Sequence, residues 1–210
     1  MTKGVFISIE GSDGSGKSTQ IELLKEYLGS RDIQATFLRE PGGTAISEKI
    51  RDVILDIENS KMCDMTEMLL YAAARAQLVY EVIIPQVEAG RIVICDRFVD
   101  SSYAYQSFAR GLRLEDVRSV NYMAIKGFMP DLTLFFDISP QDALDRRLKA
   151  TAADRLEKEP QRFHQDVYEG YQFLAAQAPG RIKVIDATKG IDQVADEVRK
   201  LINGILNIQD

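Results

Sequence analysis

The chain has 210 residues, enough for one domain of ordinary size with a substantial buried core. Hydrophobic residues make up 45% and charged residues 28%, a balance that excludes an intrinsically disordered chain. The net charge of −6 excludes a bulk field for a nucleic acid polymer, so an anionic ligand must be met by local arginines.

The first element is an apolar run, Val5 to Ile9, that reads as a buried strand. Gly11-Ser12-Asp13-Gly14-Ser15-Gly16-Lys17-Ser18 follows it and fits G-x-x-x-x-G-K-[ST], the phosphate-binding P-loop. Ile21, Leu24 and Leu28 then recur at helical spacing, giving a helix over Lys17–Leu28. Strand, glycine loop and helix start together aim backbone N–H groups and the positive helix end at one point. The glycines remove the Cβ atoms that would obstruct a phosphate. Lys17 is placed to reach the outer phosphates of a nucleoside triphosphate, and the Ser18 hydroxyl to ligate Mg²⁺, with Thr19 beside it.

A second strand, Ala35 to Leu38, leads into Arg39-Glu40-Pro41-Gly42-Gly43-Thr44. Arg39 stands at the strand end, where a guanidinium grips a phosphate in two-pronged fashion. Taken alone, it reads rather as a solvated arginine on a surface turn. A helix over Ile46–Leu55 comes next, then a long one over Thr66–Ala89. In the long helix Leu69, Ala73, Ala76, Val79, Tyr80 and Ile83 mark one face, yet Leu70, Leu78, Val82 and Ile84 lie on others. A helix apolar nearly all round is buried on both sides, either inside the core or against a second subunit. Pro85 should kink its last turns. Tyr71 and Arg75, four apart, share a face on which a flat base can stack and hydrogen-bond. A tyrosine packed on an arginine stem is the alternative.

The third strand, Ile92 to Cys95, ends at Asp96-Arg97-Phe98. Apolar residues closing in an acid form the second acidic signature of P-loop proteins, where the aspartate helps hold Mg²⁺. Arg97 is then placed to span donor and acceptor phosphates; a strand-end salt bridge is the alternative. Ser101-Ser102-Tyr103-Ala104-Tyr105-Gln106 follows closely enough to line a pocket, and an amide such as Gln106 reads the edge of a base. The remaining expected elements are a helix over Leu114–Lys126, a strand over Leu132–Phe136, helices over Pro140–Leu148 and Pro160–Ala176, a strand at Val184–Ile185 and a helix over Ile191–Ile208. Arg146, Arg147, Lys149 and Arg155 flank a small-residue stretch, which suits either a lid over phosphates or a plain loop with solvated charges.

Short apolar strands alternating with helices predict a three-layer α/β fold. Its sheet has five strands, mostly parallel, with helices on both faces and ligands at the carboxyl ends of the strands. With no linker or repeat, residues 1–210 read as a single domain carrying a short lid at about 149–159. No apolar stretch reads as a bilayer span and no leader is recognised. Cys63 and Cys95 lack metal or redox spacing, and a reduced cytoplasmic setting is expected. A guanine-reading switch would carry N-K-x-D after a strand, which is absent. His164 falls outside all these motifs.

Taken together, IEGSDGSGKSTQ, REPGGT, LLYAAARAQ, CDRFVDSSYAYQ, PDLTLFFDIS and DRLEKE resemble the thymidylate kinases, bacterial nucleoside monophosphate kinases that make dTDP from dTMP. The resemblance implies ATP and Mg²⁺ at Gly11 to Thr19, with Ser18 and Asp96 on the metal. It places Asp13 on the dTMP sugar, Arg39 and Arg97 on its phosphate, and Tyr71 on the thymine ring. Arg75 and Gln106 would read the base edge, with Ser101 and Ser102 nearby. Tyr105 would crowd the 2′ position. In one branch of the family an arginine stands where Gly14 is, so the lid, through Arg155 or Lys149, should supply the catalytic cation beside Lys17 and Arg97; the alternative for Arg155 is to anchor the lid through nearby carboxylates. A homodimer through the Thr66–Ala89 helix is expected, with no nucleic acid or membrane partner.

Overall fold

A computed structural model describes residues 4–147, 155, 156 and 158–208. Its centre is a five-stranded sheet in the order β2-β3-β1-β4-β5, comprising β1 (Val5–Glu10), β2 (Ala35–Arg39), β3 (Ile92–Asp96), β4 (Leu132–Asp137) and β5 (Ile182–Asp186). Every pairing is parallel, including β1 on β3 and β1 on β4, so the sheet is parallel throughout rather than mostly so.

The strands run further than their apolar cores. Arg39 pairs with Asp96, and Asp137 with Asp186, so the polar residues at the carboxyl ends sit on the sheet itself. Pairing carries each strand on through its terminal polar residue, because ladder hydrogen bonds do not depend on side-chain polarity.

Alternation along β1 sends Phe6 to one face, and Ile7 and Ile9 to the other. On the second of these faces lie α1 (Lys17–Ser30) and α9 (Ile191–Leu206), which contribute Leu24, Leu28, Val198 and Ile202. On the first lie α3 (Asp64–Leu78), α6 (Leu114–Ile125) and α8 (Gln161–Gln177), with Leu78, Val117, Val167 and Leu174 in that core. Helix α2 (Ala45–Leu55) packs on α3.

The long helix departs from expectation in three ways. Between α3 and α4 (Ile84–Glu88) a π turn spans Val79–Ile83, so one helix runs from Asp64 to Glu88. Pro85 has no N–H for the regular ladder, and a widened turn absorbs the defect. The expected apolar face divides: Val79 and Ile83 are fully buried, whereas Leu69 and Tyr80 are about half exposed. By length and composition alone these 25 residues meet the requirement for a membrane span, against the expectation that no such stretch exists. Here Glu67 and Arg75 are buried polar side chains within it, and one face of the helix packs in the core.

The segment after β3 is helical as well. A short turn, α5 (Val99–Ser102), continues into a π-helical stretch over Tyr103–Ala109, where the sequence reading expects only a pocket-lining run. Helix α7 (Pro140–Arg147) follows β4.

Candidate active site

The glycine loop closes between β1 and α1 as its spacing predicts. Gly14 and Gly16 take φ of +86° and +93°, conformations in which a side chain is strained. Gly16 stands at the N-cap of α1 and offers no side chain, so no side-chain hydrogen bond caps the first turn, and no acid lies in it. Those N–H groups are therefore open to a phosphate. Ser18 and Thr19 are exposed there, while Ser15 is buried. Lys17 folds back over the loop, its Nζ donating to the carbonyls of Gly11 (2.9 Å) and Ser12 (3.0 Å). Burial, with Arg97 nearby, lowers its pKa.

Two cavities open at the carboxyl ends of the strands. One, of about 660 Å³, runs along the glycine loop from Gly14 to Gln20 and is walled by Arg146, Lys189 and Gly190. The other, of about 190 Å³, is lined by Arg39, Tyr71, Arg75, Ser101, Ser102, Tyr105 and Gln106. Asp13, Asp96 and Arg97 line both. The structure thus brings the loop and the candidate base-site residues to adjoining chambers with three shared walls.

Arg97 occupies the junction with φ +68°. Its Nη2 donates to Asp13 Oδ1 at 2.6 Å, and its Nη1 to the hydroxyls of Ser101 (3.2 Å) and Tyr171 (3.3 Å). The guanidinium lies 5.3 Å over the Tyr105 ring, whose own pKa is raised by burial. Asp96 Oδ1 is buried and accepts no hydrogen bond among the described residues. Among those residues no group of three His, Cys, Asp or Glu side chains could hold a metal by itself. One unsatisfied carboxylate oxygen and a serine hydroxyl at the start of α1 fit the way Mg²⁺ is bound, with few protein ligands and the rest from phosphates and water.

Arg39 and Arg75 both line the smaller chamber and have protein partners of their own. Arg39 donates to the Pro41 carbonyl and to Glu48, with half its side chain exposed. Arg75, expected at the base edge, is 2% exposed with every guanidinium nitrogen engaged. Its Nε and Nη2 reach Glu40 at 2.7 and 2.6 Å, Nη1 reaches Ser102 and Asn121, and Nη2 reaches the Phe98 carbonyl. It braces the cavity wall.

Arg155, expected as a lid cation, lines neither cavity. Its Nη2 pairs with Glu67 at 2.7 Å and its Nε donates to the Ile54 carbonyl at 2.8 Å. A buried carboxylate draws it to the end of α2 rather than toward the glycine loop. Lys149 lies outside the described residues. Arg146 lines the larger chamber beside Lys17, Arg97 and Lys189, and donates to the Ala187 carbonyl at 2.9 Å.

Glu10, just ahead of the glycine loop, is given no role by the sequence, yet its carboxylate accepts from Phe98 N–H, Ser101 Oγ and Tyr171 Oη at 2.7, 2.6 and 2.9 Å. Burial first and Asp100 second push its pKa up to about 7. The signal available in the sequence was a charged residue at the end of an otherwise apolar strand. Tyr171 lies in α8, outside every motif quoted, and gave no such signal.

The model of the family described as Thymidylate kinase matches residues 9–198. A thymidylate kinase of Thermoanaerobacter sp. (strain X514) is 49% identical, spanning 97% of this chain and all of that one. One from Symbiobacterium thermophilum is 48% identical over 96% of this chain and 94% of its own. The crystal structure of thymidylate kinase from Ehrlichia chaffeensis superposes with a TM-score of 0.76 at 30% identity, covering 96% and 99% of the two chains. With relatives this similar along nearly its whole length and a phosphate loop joined to a base-sized chamber, the chain belongs to the thymidylate kinase family.

Proposed function

We propose that the protein transfers the γ-phosphoryl group of ATP to dTMP, giving dTDP and ADP. The observation that carries this reading is the sharing of Asp13, Asp96 and Arg97 by the two chambers. Two phosphorylated ligands seated there meet at Arg97.

ATP lies along Gly11 to Thr19, its outer phosphates on the loop N–H groups and Lys17. The dTMP ring packs against Tyr71, with Gln106 and Arg75 at its edge. Its phosphate is gripped by Arg39 and Arg97, and its sugar contacts Asp13 and Tyr105. Ser101 and Ser102 hold the floor of the chamber. A phosphate oxygen of dTMP attacks the γ-phosphorus, a new P–O bond forms, and the bond to the β-phosphate bridging oxygen breaks as ADP leaves. A phosphate monoester is already ionised, so no side chain has to remove a proton. Catalysis is positioning and charge neutralisation by Lys17 and Arg97. Ser18 and Asp96 would hold Mg²⁺, which neutralises phosphate charge when bound. Lys17 leaves the loop carbonyls for the phosphates, a change favoured by exchanging neutral acceptors for anionic ones.

The same reading makes 1–210 one catalytic domain with a lid near 149–159, in a cytoplasmic, Mg²⁺-dependent homodimer. Half-exposed Leu69 and Tyr80 on the long helix, with Tyr122 and Met123 exposed at 66% and 69% on α6, support the pairing surface. Sedimentation equilibrium tests it, with a monomer at micromolar concentration counting against it.

An ADP-release assay with Mg²⁺-ATP against dTMP, dUMP, UMP, CMP, AMP and GMP tests the activity. Strong turnover on dTMP and weaker turnover on dUMP is the expected result. Preference for another nucleotide overturns the assignment of Tyr71 and Gln106 to thymine.

A further inference from the structure

Glu67 stands in the first turn of α3, is 1% exposed, and belongs to none of the motifs. Two hydrogen-bond donors and one ion-pair partner, from two distant segments, converge on it. Gln106 Nε2 donates to its Oε1 at 3.0 Å. Arg110 Nη2 donates to its Oε2 at 3.0 Å, and Arg155 Nη2 pairs with the same oxygen at 2.7 Å. Burial pushes the carboxyl pKa up, but Arg110, Gln106 and Arg155 more than offset this and hold it below its ordinary value.

An ionised carboxylate only accepts hydrogen bonds. The amide of Gln106 must therefore turn its nitrogen toward Glu67, since the flipped amide would set oxygen against oxygen. Gln106 lines the smaller chamber, and its side-chain carbonyl oxygen accepts no hydrogen bond among the described residues. The amide is thus fixed with an acceptor left for a ligand.

We infer that Glu67 is a positioning residue for base selection: it orients Gln106 so that its carbonyl oxygen accepts from a ring N–H. Thymine and uracil carry such a proton between two carbonyls, whereas cytosine has a bare acceptor nitrogen there. The inference rests on the smaller chamber being the dTMP site. Cytosine in that chamber would set its ring nitrogen against the Gln106 oxygen, and Glu67 prevents the amide from rotating to accommodate it. A site built to bond an N–H rejects the analogue without one strongly, because a desolvated acceptor is left unpaired.

The test is kcat/KM for dTMP and dCMP in the unaltered chain, Glu67→Gln, Gln106→Leu and the double variant, each checked by thermal melting. Glu67→Gln presents nitrogen or oxygen to Gln106 with equal ease, so the preference for dTMP over dCMP should fall at least about tenfold. The change should lie mainly in KM, and the double variant should lose little beyond Gln106→Leu alone. A folded Glu67→Gln protein with an unmoved preference, or additive losses, overturns the inference. The unaltered chain supplies a measurement independent of folding: dTMP methylated at the ring nitrogen lacks the proton and should lose at least about a hundredfold in kcat/KM. Ready turnover of that analogue also overturns it. Absence of dTMP turnover in the unaltered chain overturns the parent reading as well, which separates the two failures.

Discussion

The carbonyl oxygen of Ala143 in α7 lies 2.1 Å from the point where a side chain on Gly14 would begin. Helix α7 thus closes against the glycine loop, and φ of +86° at Gly14 adds backbone strain for any other residue. Gly14→Arg should destabilise the fold by about 1–3 kcal/mol and raise KM for ATP, because loop or helix must shift. Melting temperature and ATP kinetics check this. A stable Gly14→Arg protein with ordinary ATP affinity would show that α7 yields freely, and that the loop can carry an arginine after all.

Arg97 joins the two chambers and is held by Asp13, Ser101 and Tyr171. Arg97→Ala should lower kcat about 100- to 1,000-fold, the usual loss for one donor aimed at transition-state charge. The fold should persist, since Asp13 is 43% exposed in its side chain and regains water when released. Near-normal kcat in the variant would remove Arg97 from the transfer step.

Asp96 offers a contrast between stability and activity. Its buried Oδ1 has no partner among the described residues, so the folded chain carries an unsatisfied acceptor. Asp96→Asn lowers the local negative charge without changing shape, and should leave the melting temperature unchanged or higher. Turnover should fall steeply, with a raised Mg²⁺ requirement, and chelation by EDTA should abolish it in the unaltered chain. A variant that melts early and retains turnover would reverse both assignments.

Glu10 makes stability depend on pH in a stated direction. Folding raises its pKa from 4.5 to about 7, through burial and then Asp100, against the opposing influence of Ser101, Arg97 and the Phe98 N–H. Between pH 4.5 and 7 the folded chain holds a proton that the unfolded chain has released. Stability therefore falls as pH rises through that window, by up to ~3 kcal/mol once the group is ionised in both states. Glu10→Gln keeps an acceptor for Phe98 and cannot ionise. Its stability relative to the unaltered chain should climb from pH 4.5 to 7 in urea melts. Parallel curves for the two proteins would place the titration elsewhere.

Much of the fold was legible because its signals are local. The five apolar runs, the glycine spacing and the helical recurrence of Ile21, Leu24 and Leu28 each lie within a few residues, and each element formed where it was read. The ligand end of the sheet followed from the same runs. What local pattern does not carry is which partner a polar side chain finds across the fold. Arg75 and Arg155 have the residue type and position of ligand-facing cations. Their guanidinium groups meet Glu40 and Glu67, 35 and 88 positions earlier in the chain, in buried pairs, and Arg75 lines the smaller chamber as well. Pro85 announced a disturbance in the long helix but not its form, since a kink and a π turn relieve the same missing N–H. The π stretch at Tyr103–Ala109 left no mark on the sequence, because no residue type is peculiar to it.

The position of β1 in the middle of the sheet bears on how the chain folds during synthesis. Both neighbours of this strand are made much later, β3 from residue 92 and β4 from residue 132. At ribosomal speeds of about 5–20 residues per second, Val5–Glu10 waits roughly 4–17 s for its first partner. Through that interval a strand of almost wholly buried residues, followed by an unformed phosphate loop, remains exposed. The centre of the nascent sheet is thus the segment most open to chaperone capture and to pairing with the wrong chain.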